Sequence, residues 1–339
     1  MYSTKIKTIA DIFPPPCEHY EKQSNLISSL ETQISNKFPN QSSVLINMTW
    51  FGPQFKKNNN AYAEFIEYSQ SCSIDNIFLL ATEDPCFFNR EETLKFIKDS
   101  GADNYYLMGN FDQGLYNFNF YATTLLENSP DYTEQQLILK EPKHIFLNYN
   151  RKPRIHRTEF VDMLDQLDLS QSGIVTLGND RNVGDTIEAY AKGNWNMPDD
   201  YGIPHDISSI GRLDLWQNHF LTITSETDFE DHLYTFVSEK SWKPIMGMRP
   251  FLINGQLAVY EYMRNYGFKT FNHYWKHIEI ETCNIDDIHK NICAVIKFLQ
   301  TQDLEQMYLD MLPDLRYNRL RFKEFVTEQN HKMENIFDV

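Results

Sequence analysis

A glutamate and a lysine follow an apolar run in the stretch Y-T-F-V-S-E-K-S-W-K-P-I, residues 234–245. Ser238 is a suitable N-cap for a helix that begins at Glu239. Three apolar residues at helical spacing would form its buried face: Trp242, Ile245 and Met246. A carboxylate in this first turn can accept both hydroxyls of a ribose, and Lys240 can be a point charge for a phosphate. The alternative is an ordinary helix start, with Glu239 favoured by the helix dipole and Lys240 in solvent.

A second polar segment, R-K-P-R-I-H-R at 151–157, places four cations and a histidine within seven residues. It follows a predicted strand and leads into a predicted helix, and a helix N-terminus attracts anions. Arg154 and Arg157 would suit a phosphate there, because guanidinium groups hold phosphate in a bidentate manner. A solvated basic turn is the alternative. The sequence contains neither a Walker motif nor G-x-G-x-x-G, which disfavours a P-loop or a conventional dinucleotide site.

The elements that would position these residues alternate between strands and helices. Apolar runs rich in β-branched and aromatic residues predict strands at 43–52, 75–82, 104–110, 144–150, 173–179, 219–225 and 250–255. Helices are predicted at 90–101, stopping at Gly101, at 156–167, and from residue 285 onward. In the second of these, Phe160, Leu164 and Leu167 would share one face. The pattern predicts an α/β protein with doubly wound parallel sheets.

Length and composition limit the classes of protein. A chain of 339 residues fits two domains, and 41% hydrophobic residues indicate a folded protein. Five scattered cysteines without a C-x-x-C pair argue against a disulfide framework or a zinc site. The net charge of -16 disfavours broad capture of nucleic acid. No apolar run suits a membrane span, and the first residues do not resemble a secretory signal, so we expect a cytoplasmic protein, in the host cytoplasm if viral.

Two separated motifs resemble the α-1,3-fucosyltransferase family. The run S-E-T-D-F-E-D-H-L-Y-T-F-V-S-E-K-S-W-K-P-I-M-G-M-R-P is similar to that family's donor-binding signature, in which E-N-S precedes D-Y-V-T-E-K-L-W and a G-x-x-P-V segment. The upstream L-N-Y-N-R-K-P-R-I-H-R resembles its S-N-C segment and the arginine that follows. The resemblance covers mainly 144–275. It implies a GT-B glycosyltransferase with two Rossmann-like domains facing across a cleft.

The resemblance also implies roles for individual residues. Glu239 would bind the donor ribose, Lys240 and Arg157 the diphosphate, and Glu226 would face the sugar. Tyr234 would line the nucleotide site. The donor would lie against 148–157 and 225–243, which adds Asn148, Arg151 and Arg154 to its ligands. The expected domains are 1–142 for the acceptor, 143–310 for the donor, and a C-terminal helix at 311–339 that packs back on the N-terminal domain.

Inverting transfer needs a base for the acceptor hydroxyl and cations for the leaving diphosphate. Glu83 and Asp84 directly follow a predicted strand and are the candidates for the base, although a turn with solvated acids is an equal alternative. Trp50 and Phe51 follow the first strand and could stack on an acceptor, or pack in the core. The chain has no Asp-x-Asp pair, so we expect a metal-independent enzyme with no cofactor beyond the nucleotide diphosphate sugar.

The leading hypothesis is therefore an inverting glycosyltransferase. Its acceptor would be a glycan, a small molecule or, in a phage-type enzyme, a hydroxymethylated base in DNA. The DNA acceptor would need a local basic groove, with candidates at Lys56, Lys57, Arg316, Arg319 and Arg321. A non-catalytic protein that binds a nucleotide sugar is the second hypothesis, and a structural or interaction protein is the third.

Overall fold

The computed structural model describes residues 7–8, 20–47, 63, 66–67, 69, 71, 74–81, 90–109, 116–117, 119–150, 153–177, 209–229, 235–275 and 277–335. These residues form a mixed α/β structure with two parallel sheets. The chain divides into two compact units. The first contains Met1–Phe120, Asp231–Phe236 and Thr327–Val339, and the second contains Tyr121–Glu230 and Val237–Val326. The domain limits at 142 and 310 stay predictions.

The first unit contains a five-stranded sheet whose order in space equals its order in the chain. Its strands are β1 (Lys7–Thr8), β2 (Ser43–Asn47), β3 (Asn76–Ala81), β4 (Asn104–Gly109) and β5 (Tyr116–Asn117). All neighbouring strands are parallel. The unit also contains α1 (Tyr20–Lys37) and α2 (Arg90–Ser100). Residues 77–80 of β3 are fully buried, as expected of a strand covered on both faces.

The second unit contains a four-stranded parallel sheet in the order β7-β6-β8-β9. Its strands are β6 (His144–Asn148), β7 (Gly173–Val175), β8 (His219–Ser225) and β9 (Phe251–Asn254). The helices here are α3 (Phe120–Asn128), α4 (Glu134–Leu137), α5 (Ile155–Gln166), α6 (Leu213–Asn218), α7 (Glu239–Met246), α8 (Ala258–Asn265), α9 (Ile288–Leu299) and α10 (Leu304–Glu334). The first residue of α3 belongs to the first unit, and α10 belongs to the first unit from residue 327.

The seven predicted strands are all present, and so are the predicted helices. The helix α2 ends before Gly101, whose φ of 71° is the left-handed conformation that glycine adopts without strain. On α5, Phe160 and Leu164 are fully buried as predicted. The prediction for Leu167 is wrong, because the helix ends at Gln166 and Leu167 becomes a 38% exposed C-cap residue.

The helix α7 has the buried face that its sequence predicts. Trp242 is fully buried and contacts Phe268, Phe322 and Phe325 with ring centroids 5.0–5.5 Å apart. Ile245 and Met246 are also buried. Aromatic packing of this kind adds about 0.5–1.5 kcal/mol per pair to the burial itself. The core therefore fixes the orientation of α7, and with it the two residues at its N-terminus.

Arg249 lies between α7 and β9 and is fully buried in the core of the second unit. Its guanidinium donates hydrogen bonds to the backbone carbonyls of Leu137, Trp216, His219 and Met248 and to the Tyr308 hydroxyl. Burial lowers the pKa of this arginine to about 10. The group therefore joins α4, α6, β8 and α10 around one buried cation. Among the described residues, no helix is both long and apolar enough to cross a bilayer.

Candidate functional site

The carboxyl end of the second sheet carries a row of buried polar side chains. Asn148 ends β6, Ser225 ends β8 and Asn254 ends β9, and each is at most 1% exposed. The Asn148 amide donates to the Ser225 hydroxyl at 3.0 Å and to the Ile223 carbonyl at 2.8 Å. The chain passes from β6 to β7 on one side and then to β8 on the other, so the strand order reverses between β6 and β8. Open α/β sheets bind ligands at such a point, beyond the carboxyl ends of the strands.

Two arginines from the start of α5 lie at this point. Arg157 is 2% exposed, and its Nη2 donates to the carbonyls of Ser225 at 3.1 Å and Glu226 at 2.9 Å. Arg154 is the N-cap of α5 and donates from Nη1 to the Thr227 carbonyl at 2.8 Å. Both guanidinium groups therefore lie against the backbone at the end of β8, where Arg157 provides buried positive charge and Arg154 partly exposed positive charge.

Glu226 follows β8 directly and has no exposed surface. Its Oε1 accepts from the Ser238 N–H at 3.1 Å and from the Ser241 hydroxyl at 2.6 Å. Its Oε2 accepts from the Ser238 hydroxyl at 2.6 Å and from the Thr227 N–H at 3.2 Å. The carboxylate therefore joins the end of β8 to the N-terminus of α7.

The N-terminus of α7 presents the acidic and basic pair. Ser238 is the N-cap, and its hydroxyl accepts from the Lys240 N–H at 3.2 Å, as the sequence predicts. The Lys240 ammonium lies 2.5 Å from Oε1 of Glu239 and 3.5 Å from the Ser238 hydroxyl. The Glu239 side chain is 6% exposed and the Lys240 side chain 26%. The pair is thus partly buried, which strengthens its electrostatic interactions relative to those of a solvated pair.

Two buried histidines border the same backbone. His156 Nε2 lies 3.0 Å from the Glu226 carbonyl, and its ring stacks on Phe229 with centroids 5.0 Å apart. His289 Nε2 lies 2.9 Å from Oδ1 of Asn254, and its ring lies 5.6 Å from the ring of Phe229. Burial lowers the pKa of each to about 4, and the neighbouring Arg157 adds to the effect on His156. Both imidazoles are therefore neutral at pH 7, with Nε2–H as the donor.

The structure brings six of the predicted donor-site residues into one connected group: Asn148, Arg154, Arg157, Glu226, Glu239 and Lys240. Each is joined to the next by the hydrogen bonds described above, through the backbone and side chains of 223–227 and through Ser238. The other predicted residues lie outside the described part of the chain: Arg151, Tyr234, Glu83, Asp84, Trp50 and Phe51. Their roles stay predictions.

Several members of this group were not predicted from the sequence. Ser225 and Asn254 end predicted strands, so the rule that ligands bind at strand ends could have singled them out. His156 was counted only as part of the basic segment. No sequence signal places His289 here, because α9 reaches the site only through tertiary packing. Asn150 was also missed: it is fully buried, and its Oδ1 has no hydrogen-bond partner among the described residues.

No group of three or more His, Cys, Asp or Glu side chains suited to a metal ion occurs within the described ranges. The chemistry that the described site supports is the binding of an anion that also carries hydroxyl groups. Arg154, Arg157 and Lys240 supply the positive charge. The carboxylate of Glu239 can accept hydrogen bonds from hydroxyls.

The chain was compared with known proteins. No family model matches it, and no curated protein matches it either. A solved structure described as a crystal structure of alpha1,3-fucosyltransferase with GDP is similar over 86% of this chain and 90% of that one. The sequence identity is 15% and the TM-score is 0.38. A likeness of this size does not by itself assign a function, so the function is inferred from the site.

Proposed function

We propose that the protein is a glycosyltransferase that binds a nucleoside diphosphate sugar at the carboxyl end of the four-stranded sheet. The observation that carries the proposal is the hydrogen-bonded chain beyond the carboxyl end of β8. It runs from Arg157 through Glu226 and Ser238 to the Glu239 and Lys240 pair. In the proposed complex Glu239 accepts the ribose hydroxyls. Lys240 and Arg157 bind the diphosphate, which is the leaving group and gains negative charge during transfer.

Three features of the described site support this assignment. The N-terminus of α7 adds a partial positive charge beside Lys240. The end of β8 is closely bound by two guanidiniums, so positive charge is held in place before a ligand arrives. Burial of Glu239 and Arg157 keeps water from competing for their hydrogen bonds. Preorganised charge of this kind stabilises a leaving group without reorganisation during the reaction.

The remaining parts of the reaction are proposals on undescribed residues. Inversion at the anomeric carbon would use Glu83 or Asp84 as the base, and Trp50 and Phe51 would contact the acceptor. We propose that the enzyme needs neither a metal ion nor a cofactor. A DNA acceptor stays an alternative. Three arginines suggested for its groove already donate elsewhere: Arg316 to Glu134, Arg319 to the Tyr132 carbonyl and Arg321 to the Tyr266 carbonyl.

The test is a binding panel of UDP, GDP, CDP, ADP and TDP, measured by calorimetry and thermal shift with and without EDTA. One diphosphate should bind the wild type. At a hundredfold excess over its Kd it should raise the free energy of unfolding by about 2.7 kcal/mol, which a thermal shift detects. Glu239→Gln should weaken this binding about tenfold or more, because it replaces a charged acceptor for the ribose hydroxyls.

Glu261→Gln is the matched control. Glu261 also lies in the first turn of a helix, α8, but is exposed and outside the site. It should bind as the wild type does. If no diphosphate binds the wild type, the proposal is wrong. If both glutamine variants bind as well as the wild type, the nucleotide lies elsewhere and the assignment of the site is wrong.

A further inference from the structure

Glu226 is the residue that connects the two sources of positive charge in the proposed donor site. Its backbone carbonyl accepts from Arg157, and its side chain accepts from Ser238. A carboxylate has about four positions for hydrogen-bond donors. Four donors occupy them here: the N–H groups of Thr227 and Ser238 and the hydroxyls of Ser238 and Ser241. The carboxylate is therefore saturated within the protein.

The Ser238 hydroxyl has one proton and two lone pairs. Its contact with Oε2 of Glu226, at 2.6 Å, takes the proton, because a carboxylate can only accept. The lone pairs then remain for the Lys240 N–H at 3.2 Å and the Lys240 ammonium at 3.5 Å. Glu226 thus fixes the rotation of this hydroxyl, and the hydroxyl faces the backbone and side chain of Lys240 as an acceptor.

Close packing holds Glu226 in this position. A Cβ added to Gly255, the residue after β9, would lie 2.8 Å from Cβ of Glu226. Only glycine leaves room for the glutamate at this approach. The carboxylate is also fully covered, so a sugar could reach it only after the end of β8 and the start of α7 separated.

We propose that Glu226 is a positioning residue of the donor site, which acts through Ser238 to hold Lys240 in its diphosphate-binding orientation, and that it does not bind the sugar. This inference rests on the proposed function. It replaces the sugar-facing role implied by the resemblance with a role at the diphosphate. It predicts that the loss of Glu226 affects a nucleoside diphosphate and its sugar conjugate equally.

The first test compares Ser238→Ala with Ser241→Ala. Both hydroxyls are fully buried and donate to Glu226 at 2.6 Å, but within the described part of the chain the Ser241 hydroxyl bonds to Glu226 alone. Ser238→Ala should weaken binding of the diphosphate about tenfold. Ser241→Ala should weaken it clearly less, because Glu226 then keeps three of its four donors and the Ser238 hydroxyl stays in place. Ser238 is also the N-cap of α7, so the unfolding midpoints of both variants are measured and binding is compared at a temperature where both are folded. Equal affinities for the two variants would overturn the proposal.

The second test uses Glu226→Gln with matched pairs of probes: UDP and UDP-glucose, GDP and GDP-mannose, ADP and ADP-glucose, TDP and TDP-glucose, and CDP and CDP-glucose. The variant should lose about the same factor, roughly tenfold, for both members of the pair that binds the wild type. A loss confined to the sugar conjugate would show that Glu226 binds the sugar and would overturn this inference while leaving the proposed function intact.

A double-mutant cycle between Glu226→Gln and Ser238→Ala completes the test. Residues that act through one contact give non-additive effects. We therefore expect the double variant to bind the diphosphate with about the same affinity as the single variant that binds it less tightly. Fully additive losses of affinity would contradict the proposal that Glu226 acts on Lys240 through Ser238. Failure of the wild type to bind any probe would overturn the proposed function together with this inference.

Discussion

Acid should destabilise the second unit through its buried neutral histidines. His219 is one of them, since burial lowers its pKa well below its ordinary value. Two more, His156 and His289, lie at the site. The folded-state pKa of each is about 4, against about 6.5 in an unfolded chain, because burial disfavours the charged imidazole. Since the folded-state pKa is depressed, the free energy of unfolding keeps its full value with respect to these two histidines above pH 6.5. Their contribution is lost as the pH falls from 6.5 towards 4, where the unfolded chain binds a proton and the folded protein does not.

The magnitude follows from the difference of about 2.5 in pKa. At about 1.4 kcal/mol for each pKa unit, one histidine lowers the free energy of unfolding by about 3 kcal/mol once the pH is below both pKa values. At pH 5 the loss is about 2 kcal/mol for one histidine and about 4 kcal/mol for both. A typical domain has a free energy of unfolding of only about 5–15 kcal/mol. The loss of both contributions is therefore a large fraction of the total.

The assay is urea unfolding of the wild type, His156→Gln and His289→Gln at pH 7.5, 6 and 5. At pH 7.5 each variant should be less stable than the wild type, because it loses ring packing against Phe229. The gap should shrink by about 2 kcal/mol per variant between pH 7.5 and pH 5, since glutamine does not titrate. A gap that stays constant over this range would refute the reasoning, whatever the wild type itself does.

Two core positions give further expectations. Arg249→Met should lower the free energy of unfolding by about 4 kcal/mol, at about 1 kcal/mol for each of four carbonyls that lose their donor. Arg264→Met removes an ion pair whose arginine is 44% exposed, and it should lower the same free energy by less than about 1 kcal/mol in the same urea experiment. Similar losses for the two variants would contradict this account. Gly255→Ala should cost about 1–3 kcal/mol through overpacking and should also weaken diphosphate binding, because its Cβ would lie 2.8 Å from Cβ of Glu226. Unchanged binding by a folded Gly255→Ala protein would show that the position of Glu226 does not matter to the ligand.

Local patterns predicted most of the described elements. The strands of both sheets are short apolar runs between polar segments, and this pattern is typical of parallel strands covered on both faces. The start of α7 was also predicted from the sequence, because an N-cap serine, an acidic first turn and an apolar face lie close together in the chain. The two-residue strands β1 and β5 were not predicted, since two residues carry no measurable periodicity. Leu167 was misplaced because α5 ends at Gln166, one residue too early to bring Leu167 onto the buried face.

The interior of the site was much less predictable. Glu226 and Ser238 are 12 residues apart, and their contact depends on where β8 ends and α7 begins. The resemblance marked Glu226 as a site residue but did not indicate that four donors surround it. The buried positions of His156 and His289 follow from packing around Phe229, for which no spacing rule exists. Residue types therefore predicted which segments meet at the site, while the structure shows which atoms bond.

The most direct test of the central claim is a crystal structure of the protein with the nucleoside diphosphate that binds it. The account predicts the ribose hydroxyls within hydrogen-bond distance of Glu239 and the diphosphate oxygens against Lys240 and Arg157, with the Glu226 carboxylate still bonded to Ser238. A nucleotide bound away from the carboxyl ends of β6 and β8, with Glu239 and Lys240 making no contact to it, would contradict it.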